Sequence, residues 1–336
     1  MPLVLSHEEV RRCVSMSDAV AAIESMCQAQ AAGTALAAER VNLKLPNGWI
    51  RLMPGALVAS GVLGYKEFHL TRIAEASAQV RYAYHLFDYN SGELLAMMDA
   101  DYLTFVRTAA ASGAAIKRLA REEATALGII GSGAEARSHV EAAASVRSIR
   151  SAKVFSRDPA RRQRFADEMS RQLRIEITPV DRPERAIEGA DILLVATNTA
   201  GTGPALAAQS LKNATKGLHI NSIGSTLPTQ RELEPGVWSF ADRIVLDSRR
   251  LLTESGDGIA ATQAGTIDAA KVAELHEVVA GGARGRASAA ETTLYKSIGT
   301  GLQDVAVAHA AYRQALARGL GRTMESFQSV KTVEPN

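Results

Sequence analysis

The segment Leu127-Gly128-Ile129-Ile130-Gly131-Ser132-Gly133-Ala134-Glu135-Ala136 carries the most legible chemistry in this chain. Gly131-x-Gly133-x-x-Ala136 follows an apolar run and opens a helical stretch, the setting that a dinucleotide-binding turn requires. Gly131 permits a tight turn, Gly133 lets the backbone approach a pyrophosphate, and Ala136 is small enough for helix and strand to pack closely. Backbone N–H groups at the helix start then face the phosphate charge, with Ser132, Ala134 and Glu135 completing the loop. An ordinary strand-to-helix turn would need no such glycine pair followed by a correctly placed second strand.

The end of that second strand selects the dinucleotide. An NAD site usually places a carboxylate there to hold the ribose 2′-hydroxyl. Here Val154-Phe155 ends in Ser156-Arg157, about 25 residues beyond Gly131, and Arg161 and Arg162 follow. A carboxylate repels a 2′-phosphate, whereas a hydroxyl and guanidinium groups hold it. The reading favours NADP, with NAD possible through Asp158.

Other chemistry is thin. Seven histidines show no metal-ligand spacing, so no metal is expected, and His219 within an apolar run reads as a strand residue. Neither a GxSxG elbow nor a GxxxxGK phosphate loop is present. Asp99 with Asp101 fits a helix start better than an acid–base pair.

The elements that would position these residues fall into two rhythms. From Ala126 onward, apolar strands at Ala126–Ile130, Ala152–Phe155, Ile175–Pro179, Ile192–Ala196, Leu218–Ile223 and Arg243–Leu246 alternate with helical or loop segments. That alternation predicts a doubly wound parallel sheet. Before it, Leu3–Leu5 reads as a strand, Ser6 with Glu9 as a capping box, and Ser17-Asp18 as the start of a helix stopping at Gly33. Strand-like runs follow at Arg40–Leu45, Trp49–Met53, Val62–Phe68, Val80–Asp88 and Glu93–Asp99. Turns are expected at Pro46-Asn47-Gly48, Pro54-Gly55 and Asn90-Ser91-Gly92, then a helix over Asp101–Leu119. A last helix, Leu302–Arg318 ended by Gly319, has no strand to follow it and is expected to return to the first block.

Composition bounds the function. The 336 residues hold 38 basic and 36 acidic side chains, a net charge of +2, which argues against a dedicated nucleic-acid binder. Apolar residues make up 46%, and no uncharged apolar run approaches a membrane span, so no membrane partner is expected. Only two cysteines, Cys13 and Cys27, occur, and the start lacks the features of a signal peptide, which points to the cytoplasm.

Together these residues resemble the ornithine cyclodeaminase/mu-crystallin family, from about Arg40 to Gly319. The landmarks are Met53-Pro54, Gly64-Tyr65-Lys66, Leu103-Thr104 with Arg107-Thr108-Ala109-Ala110, and Gly131-Ser132-Gly133-Ala134. They continue through Ala190-Asp191-Ile192 to Thr197-Asn198, then His219-Ile220-Asn221-Ser222-Ile223-Gly224, and Ser297-Ile298-Gly299 with Asp304. The resemblance implies an α/β protein with a Rossmann-type doubly wound nucleotide-binding domain at residues 119–299. An α+β substrate-binding and dimerisation domain would comprise residues 1–118 and 300–336, giving a homodimer.

For the site, the resemblance implies that Arg40, thirteen residues before Met53, holds a substrate carboxylate. It makes Lys66 and Arg107 the catalytic cations, and places Thr197, Asn198, Ile223 and Gly224 at the cofactor. Three cations converging on one cleft would clamp an amino- or imino-acid carboxylate. Arg81 falls where relatives face the substrate, and as a fourth cation it would hold a second carboxylate.

One departure narrows the reaction. Cyclodeaminases of the family carry an aspartate just before the proline that follows His-Ile-Asn, whereas Ile223-Gly224-Ser225-Thr226-Leu227-Pro228 places Thr226 there. Threonine neither balances an ammonium charge nor acts as a base near neutrality. Glu254-Ser255-Gly256-Asp257 and Tyr295-Lys296-Ser297 also look more like mu-crystallin, a ketimine reductase. The expectation is therefore an NAD(P)H-dependent reductase of an α-imino acid or cyclic ketimine. The alternatives are an ornithine or lysine cyclodeaminase, an alanine-type amino-acid dehydrogenase, or an NADP-dependent binding protein with little turnover.

Overall fold

A computed structural model describes residues 1–74, 77–199, 202–325 and 328–331. The chain begins with β1 (Leu3–Leu5), α1 (His7–Cys13), α2 (Met16–Ala31), β2 (Ala35–Ala37), β3 (Val41–Leu45) and β4 (Gly48–Leu57). Next come β5 (Val62–Ala74), β6 (Ser77–Asp88), β7 (Leu94–Asp99), α3 (Asp101–Leu119), β8 (Ala126–Ile130) and α4 (Ala134–Val146). Then follow β9 (Ser151–Phe155), α5 (Pro159–Leu173), β10 (Glu176–Pro179), α6 (Pro183–Ile187), β11 (Ile192–Val195), β12 (His219–Ser222), α7 (Pro235–Phe240) and β13 (Arg243–Leu246). The chain continues with α8 (Leu251–Glu254), α9 (Gly256–Gln263), β14 (Val272–Glu274), α10 (Leu275–Val279), β15 (Thr293–Lys296), α11 (Gly301–Arg318) and β16 (Arg322–Thr323). Two compact units result: residues 1–107 with 300–336, and residues 108–299, so the first division falls inside α3.

The first unit is built on a sheet ordered β16-β1-β7-β6-β5-β4-β2, with β3 also paired to β4. Among the described residues only β1 and β7 run parallel in it; the remaining pairs are antiparallel. Its first helix starts at the Ser6/Glu9 capping box. The second starts at Ser15 rather than Ser17, because Asp18 lies three residues after Ser15 and closes a reciprocal box with it.

Pro54-Gly55 is not a turn, as its composition suggested, but lies inside the ten-residue β4. The physical reason is a close approach. A Cβ on Gly55 would sit 2.7 Å from the Gly301 carbonyl oxygen, and one on Gly301 would sit 2.2 Å from that of Pro54. Two bare glycines thus let the start of α11 lie directly on β4.

The second unit is an eight-stranded parallel sheet ordered β10-β9-β8-β11-β12-β15-β13-β14. Alternate residues of its central strands enter different cores. Leu127, Ile129, Ile192 and Leu194 pack on one face, and Ile130, Leu193 and Val195 on the other. Burial on both faces explains the unbroken apolar runs. The chain winds outward from β8 to β10, then returns to β11 on the other side of β8. This reversal is a topological switch point, where doubly wound sheets open a crevice at the carboxyl ends of their strands. The inner strand β15 has no apolar run in sequence, since its Thr293 and Lys296 are buried through polar partners.

Candidate active site

In the first unit, β5 carries Lys66 with only 2% of its surface exposed, directly opposite Met53 of β4 and Tyr84 of β6. Gly64, two residues earlier on the same face, makes room for the phenol: a Cβ there would lie 2.6 Å from the Tyr84 hydroxyl. Lys66 Nζ donates a 2.9 Å hydrogen bond to Asp304 Oδ1. The same oxygen lies 2.9 Å from Arg107 Nε, and Arg107 Nη1 donates to Gln303 Oε1 at 2.9 Å.

Local sequence explains the convergence. Thr300 and Gln303 form a capping box at the start of α11, so Gln303 and Asp304 both fall in its first turn. The Gly55–Gly301 approach then holds that turn against the sheet. The pattern Thr-Gly-x-Gln-Asp is the available signal for both residues. Sequence reasoning uses Asp304 only as a landmark, and misses Gln303 and Tyr84.

The electrostatics set Lys66 apart. Burial, the Arg107 guanidinium and the charge of Arg40 bring its pKa down to about 7, although Asp304 opposes them. Tyr84 is pushed the other way, well above its ordinary value, by burial and by the Asp304 carboxylate. Tyr84 is therefore a protonated phenol near neutrality and Lys66 a group in mid-titration.

Arg40, half-buried just ahead of β3, belongs to this electrostatic neighbourhood. Arg81 is not brought into it. It pairs with His69 on β5, an odd number of residues from Lys66, so its side chain lies on the opposite face of the sheet. There it is exposed and donates to Gln79 Oε1 at 2.9 Å.

In the second unit, the carboxyl ends of β8, β9 and β11 open a cleft of about 430 Å³. Gly131, Ser132 and Gly133 line it beside Ser156, Arg157 and Arg161, with Thr197 and Asn198 across from them. Gly131 has a φ of +118°, and a Cβ there would lie 2.1 Å from the Ala196 carbonyl oxygen. Gly133 caps α4 without a side-chain hydrogen bond, and the space its Cβ would take is empty to 4 Å. Ala134, Glu135 and Ala136 form the first turn behind it, and Ala136 is fully buried. These residues fit a dinucleotide: the bare helix start would suit a pyrophosphate, and the β9 end an adenosine ribose.

At that end Ser132 Oγ donates to Ser156 Oγ at 2.9 Å, and Arg157 stands exposed at the rim. The Asp158 carboxylate is already engaged. It caps α5 by accepting from the Ala160 and Arg161 N–H groups, and it pairs with the Arg161 guanidinium at 3.4 Å.

A buried charged network that the sequence did not announce underlies the far side of this cleft. Glu232, Asp257 and Lys296 are all fully buried. Glu232 accepts from Thr197 N–H at 2.6 Å and Oγ1 at 2.9 Å, from Ser222 Oγ at 2.6 Å and from Gly224 N–H at 2.8 Å. Lys296 Nζ lies 3.0 Å from Asp257 Oδ2 and donates to Ser222 Oγ and the Gly224 carbonyl. The loops carrying Thr197 and Ile223-Gly224 are thereby fixed to each other. Thr226 follows on the same loop, half-buried, after Ser225 with its left-handed φ of +61°.

His219 is a strand residue within β12, as its apolar neighbours suggested. Burial and the charges of Arg286 and Arg147 hold its pKa down to about 3, and its Nδ1 lies 2.9 Å from Thr293 Oγ1. Among the described residues no group of His, Cys, Asp or Glu side chains has a metal-binding arrangement, and no helix is long and apolar enough to cross a membrane.

Comparisons with known proteins place this geometry. The chain is 31% identical over 331 residues to a Delta(1)-pyrroline-2-carboxylate reductase of Bacillus cereus, covering 96% of this chain and 99% of that one. Among solved structures it is similar to the Thermococcus litoralis Delta(1)-pyrroline-2-carboxylate reductase in complex with NADH and L-proline. The TM-score there is 0.88 at 35% identity, covering 96% of this chain and all of the other. An archaeal alanine dehydrogenase dimer with bound NAD gives a TM-score of 0.87 at 31% identity, covering 97% and 99%. The family model matches residues 1–319, nearly the whole chain, and the protein belongs to the ornithine cyclodeaminase/mu-crystallin family.

Proposed function

We propose that this protein is a nicotinamide-dependent oxidoreductase that reduces the C=N bond of an α-imino acid or cyclic ketimine to an amino acid. The observation that carries the reading is Lys66, buried between a guanidinium and a carboxylate and titrating at about 7. A group so placed is suited to hand a proton to an imine nitrogen and recover it from solvent. The Bacillus cereus relative is named for reduction of such a cyclic imine, and the Thermococcus litoralis relative holds NADH with L-proline. When bound in the glycine-lined cleft, the reduced nicotinamide supplies hydride to the imine carbon.

The chain's own residues do the rest. Arg40 and Arg107 attract and orient the substrate carboxylate, and Lys66 holds the proton destined for nitrogen. Holding the carboxylate alone would favour ground and transition states alike, so the orienting effect, not the charge neutralisation, raises the rate. Thr226 weighs against cyclodeamination, because no acid stands at that position to engage a side-chain amine. Running the reaction with a cofactor deuterated at its hydride-bearing carbon should place one deuterium on the α-carbon of the product. A product without deuterium would sink this reading.

We assign the cofactor as NADP(H). Ser156 and Arg157 line the ribose end of the cleft, and Asp158 is engaged as a helix cap. Arg157→Asp is expected to weaken NADPH binding by about tenfold or more while sparing NADH, since it exchanges an attracting charge for a repelling one. Titration of both cofactors by fluorescence measures this, and unchanged NADPH affinity would remove Arg157 from the site.

The protein is read as a cytoplasmic homodimer. Val41 and Leu43 of β3 are 56% and 58% exposed on one face of the first unit's sheet, beside the half-buried Ile50 and Leu52 of β4. An apolar face of that kind calls for a cover, and a second copy is the occupant proposed. Sedimentation should give twice the chain mass of 35.7 kDa; a monomer would contradict it.

A further inference from the structure

With Arg81 on the far face of the sheet, the cation that the register sets beside Lys66 is Arg51. We infer that Arg51 is a specificity-determining residue that holds a second carboxylate, at the end of the substrate's side chain. The substrate is then an imino diacid. This rests on the imine-reduction reading and adds the substrate class which that reading leaves open.

The placement follows from strand pairing. Lys66 of β5 lies opposite Met53 of β4, and Phe68 lies opposite Arg51. Arg51 is two residues from Met53, so it projects from the same face of the sheet as Lys66. The two are diagonal neighbours, which lie about 7–8 Å apart, a span that one small molecule bridges. Tyr82 of β6, paired with Phe68, completes the Arg51 row. Glu67, the acid between Lys66 and Phe68, projects from the other face.

Along the strands, the opposite side of Lys66 is closed. The row there holds Gly55, Gly64 and Leu86. Leu86 is fully buried, and α11 lies so close that a Cβ on Gly55 would be 2.7 Å from the Gly301 carbonyl oxygen. Met53, Lys66 and Tyr84 are buried, whereas Arg51, Phe68 and Tyr82 are half-buried. The surface thus opens from the lysine toward the arginine. A substrate whose imine nitrogen meets Lys66 extends its side chain over the Phe68 row.

That row is built for a short apolar stem ending in an anion. The Phe68 ring lies 4.4 Å from that of Trp49 and 5.1 Å from that of Tyr82, centre to centre, forming an aromatic floor for methylene groups. At its edge Arg51 Nε donates to Asn42 Oδ1 at 2.8 Å, and the guanidinium lies 4.7 Å over the Trp49 ring. These two contacts fix the group in advance, so little freedom remains to be lost when a carboxylate binds its planar fork. The α-carboxylate already has Arg40 and Arg107, and two guanidinium groups suffice for its two oxygens.

Selectivity is the readout, because a merely structural arginine would not change substrate choice. Oxaloacetate is set against 2-oxobutyrate, and 2-oxoglutarate against 2-oxopentanoate, each pair exchanging a terminal carboxylate for a methyl group. Each 2-oxo acid is mixed with ammonium, which forms the imine in solution, and NADPH oxidation is followed. In the wild type at least one diacid should exceed its partner in kcat/KM by about tenfold or more, the effect of one charged hydrogen-bonded contact. In Arg51→Gln that ratio should fall to within about threefold of unity. NADPH affinity checks that the variant is folded, and a general loss of activity cancels in the ratio. A wild type indifferent to the second carboxylate in both pairs, or an undiminished ratio in the folded variant, would overturn the assignment. Turnover of a cyclic ketimine monocarboxylate but of neither diacid imine would keep imine reduction and reject the Arg51 subsite. No turnover of any imine would reject the functional reading itself.

Discussion

Replacing Lys66 by methionine is expected to lower kcat for imine reduction by about 10²–10⁴-fold, the usual contribution of a positioned proton donor. Methionine fills a similar volume in a position that is 2% exposed and leaves Asp304 paired with Arg107, so the fold should survive. The wild-type pH profile carries the same information. Lys66 must be protonated to donate, and its pKa lies at about 7 instead of near 10.5. The reductive rate should therefore be full below that value and fall as pH rises through it, while the oxidative direction, which needs the neutral amine, should rise. Steady-state kinetics across the neutral range check both points. A methionine variant with near-normal kcat, or a reductive profile flat through neutrality, would remove Lys66 as the donor.

The second large effect concerns stability. Glu232→Ala removes the acceptor for Thr197 N–H and Oγ1, Ser222 Oγ and Gly224 N–H, and leaves Lys296 with one counter-charge fewer. Every one of these groups lies in the interior or close to it, so water cannot replace the lost partner cheaply. Breaking one side of a buried charged arrangement costs about 3–5 kcal/mol. Denaturant unfolding should report a loss of that size, together with weaker NADPH binding, because Thr197 lines the cleft proposed for the cofactor. A loss below about 1 kcal/mol would mean that the network contributes little, as exposed ion pairs do.

What was legible in the sequence divides along physical lines. The parallel sheet was legible because strands buried on both faces are apolar throughout, and the turn after β8 because only glycine tolerates the positive φ and the close carbonyl approach at Gly131. The capping box at Ser6 depends on a neighbour three residues away, which a linear reading can see, while the boxes of the same kind at Ser15 and Thr300 went unread. Pro54-Gly55 misled because the same residue pair that suits a turn also suits a strand against which another backbone packs. β15 was hidden by its polar residues, whose partners Ser222, Gly224 and Asp257 lie far away in sequence.

The site shows the same division. Lys66 and Arg107 stand out as cations inside apolar stretches and within family motifs. Asp304 lies 238 residues from Lys66, so nothing local links them, and only the docking of α11 on β4 brings the pair together. The Arg81 assignment rested on strand position without register. The pairing His69 with Arg81, three pairs along from Lys66 with Tyr84, places the two cations on opposite faces. One residue of offset decides such a question, and composition does not contain it.

The central claim is reduction of an imine rather than loss of ammonia from a diamine. Purified protein is given NADPH and a cyclic ketimine carboxylate, and the loss of reduced-nicotinamide absorbance is followed. In parallel it is given L-ornithine and NAD, and ammonia is assayed. Steady oxidation of NADPH with the ketimine, and no ammonia from ornithine, is the result predicted. Ammonia released from ornithine without net change in the cofactor would contradict it, and would mean that Thr226 suffices where an aspartate was thought necessary.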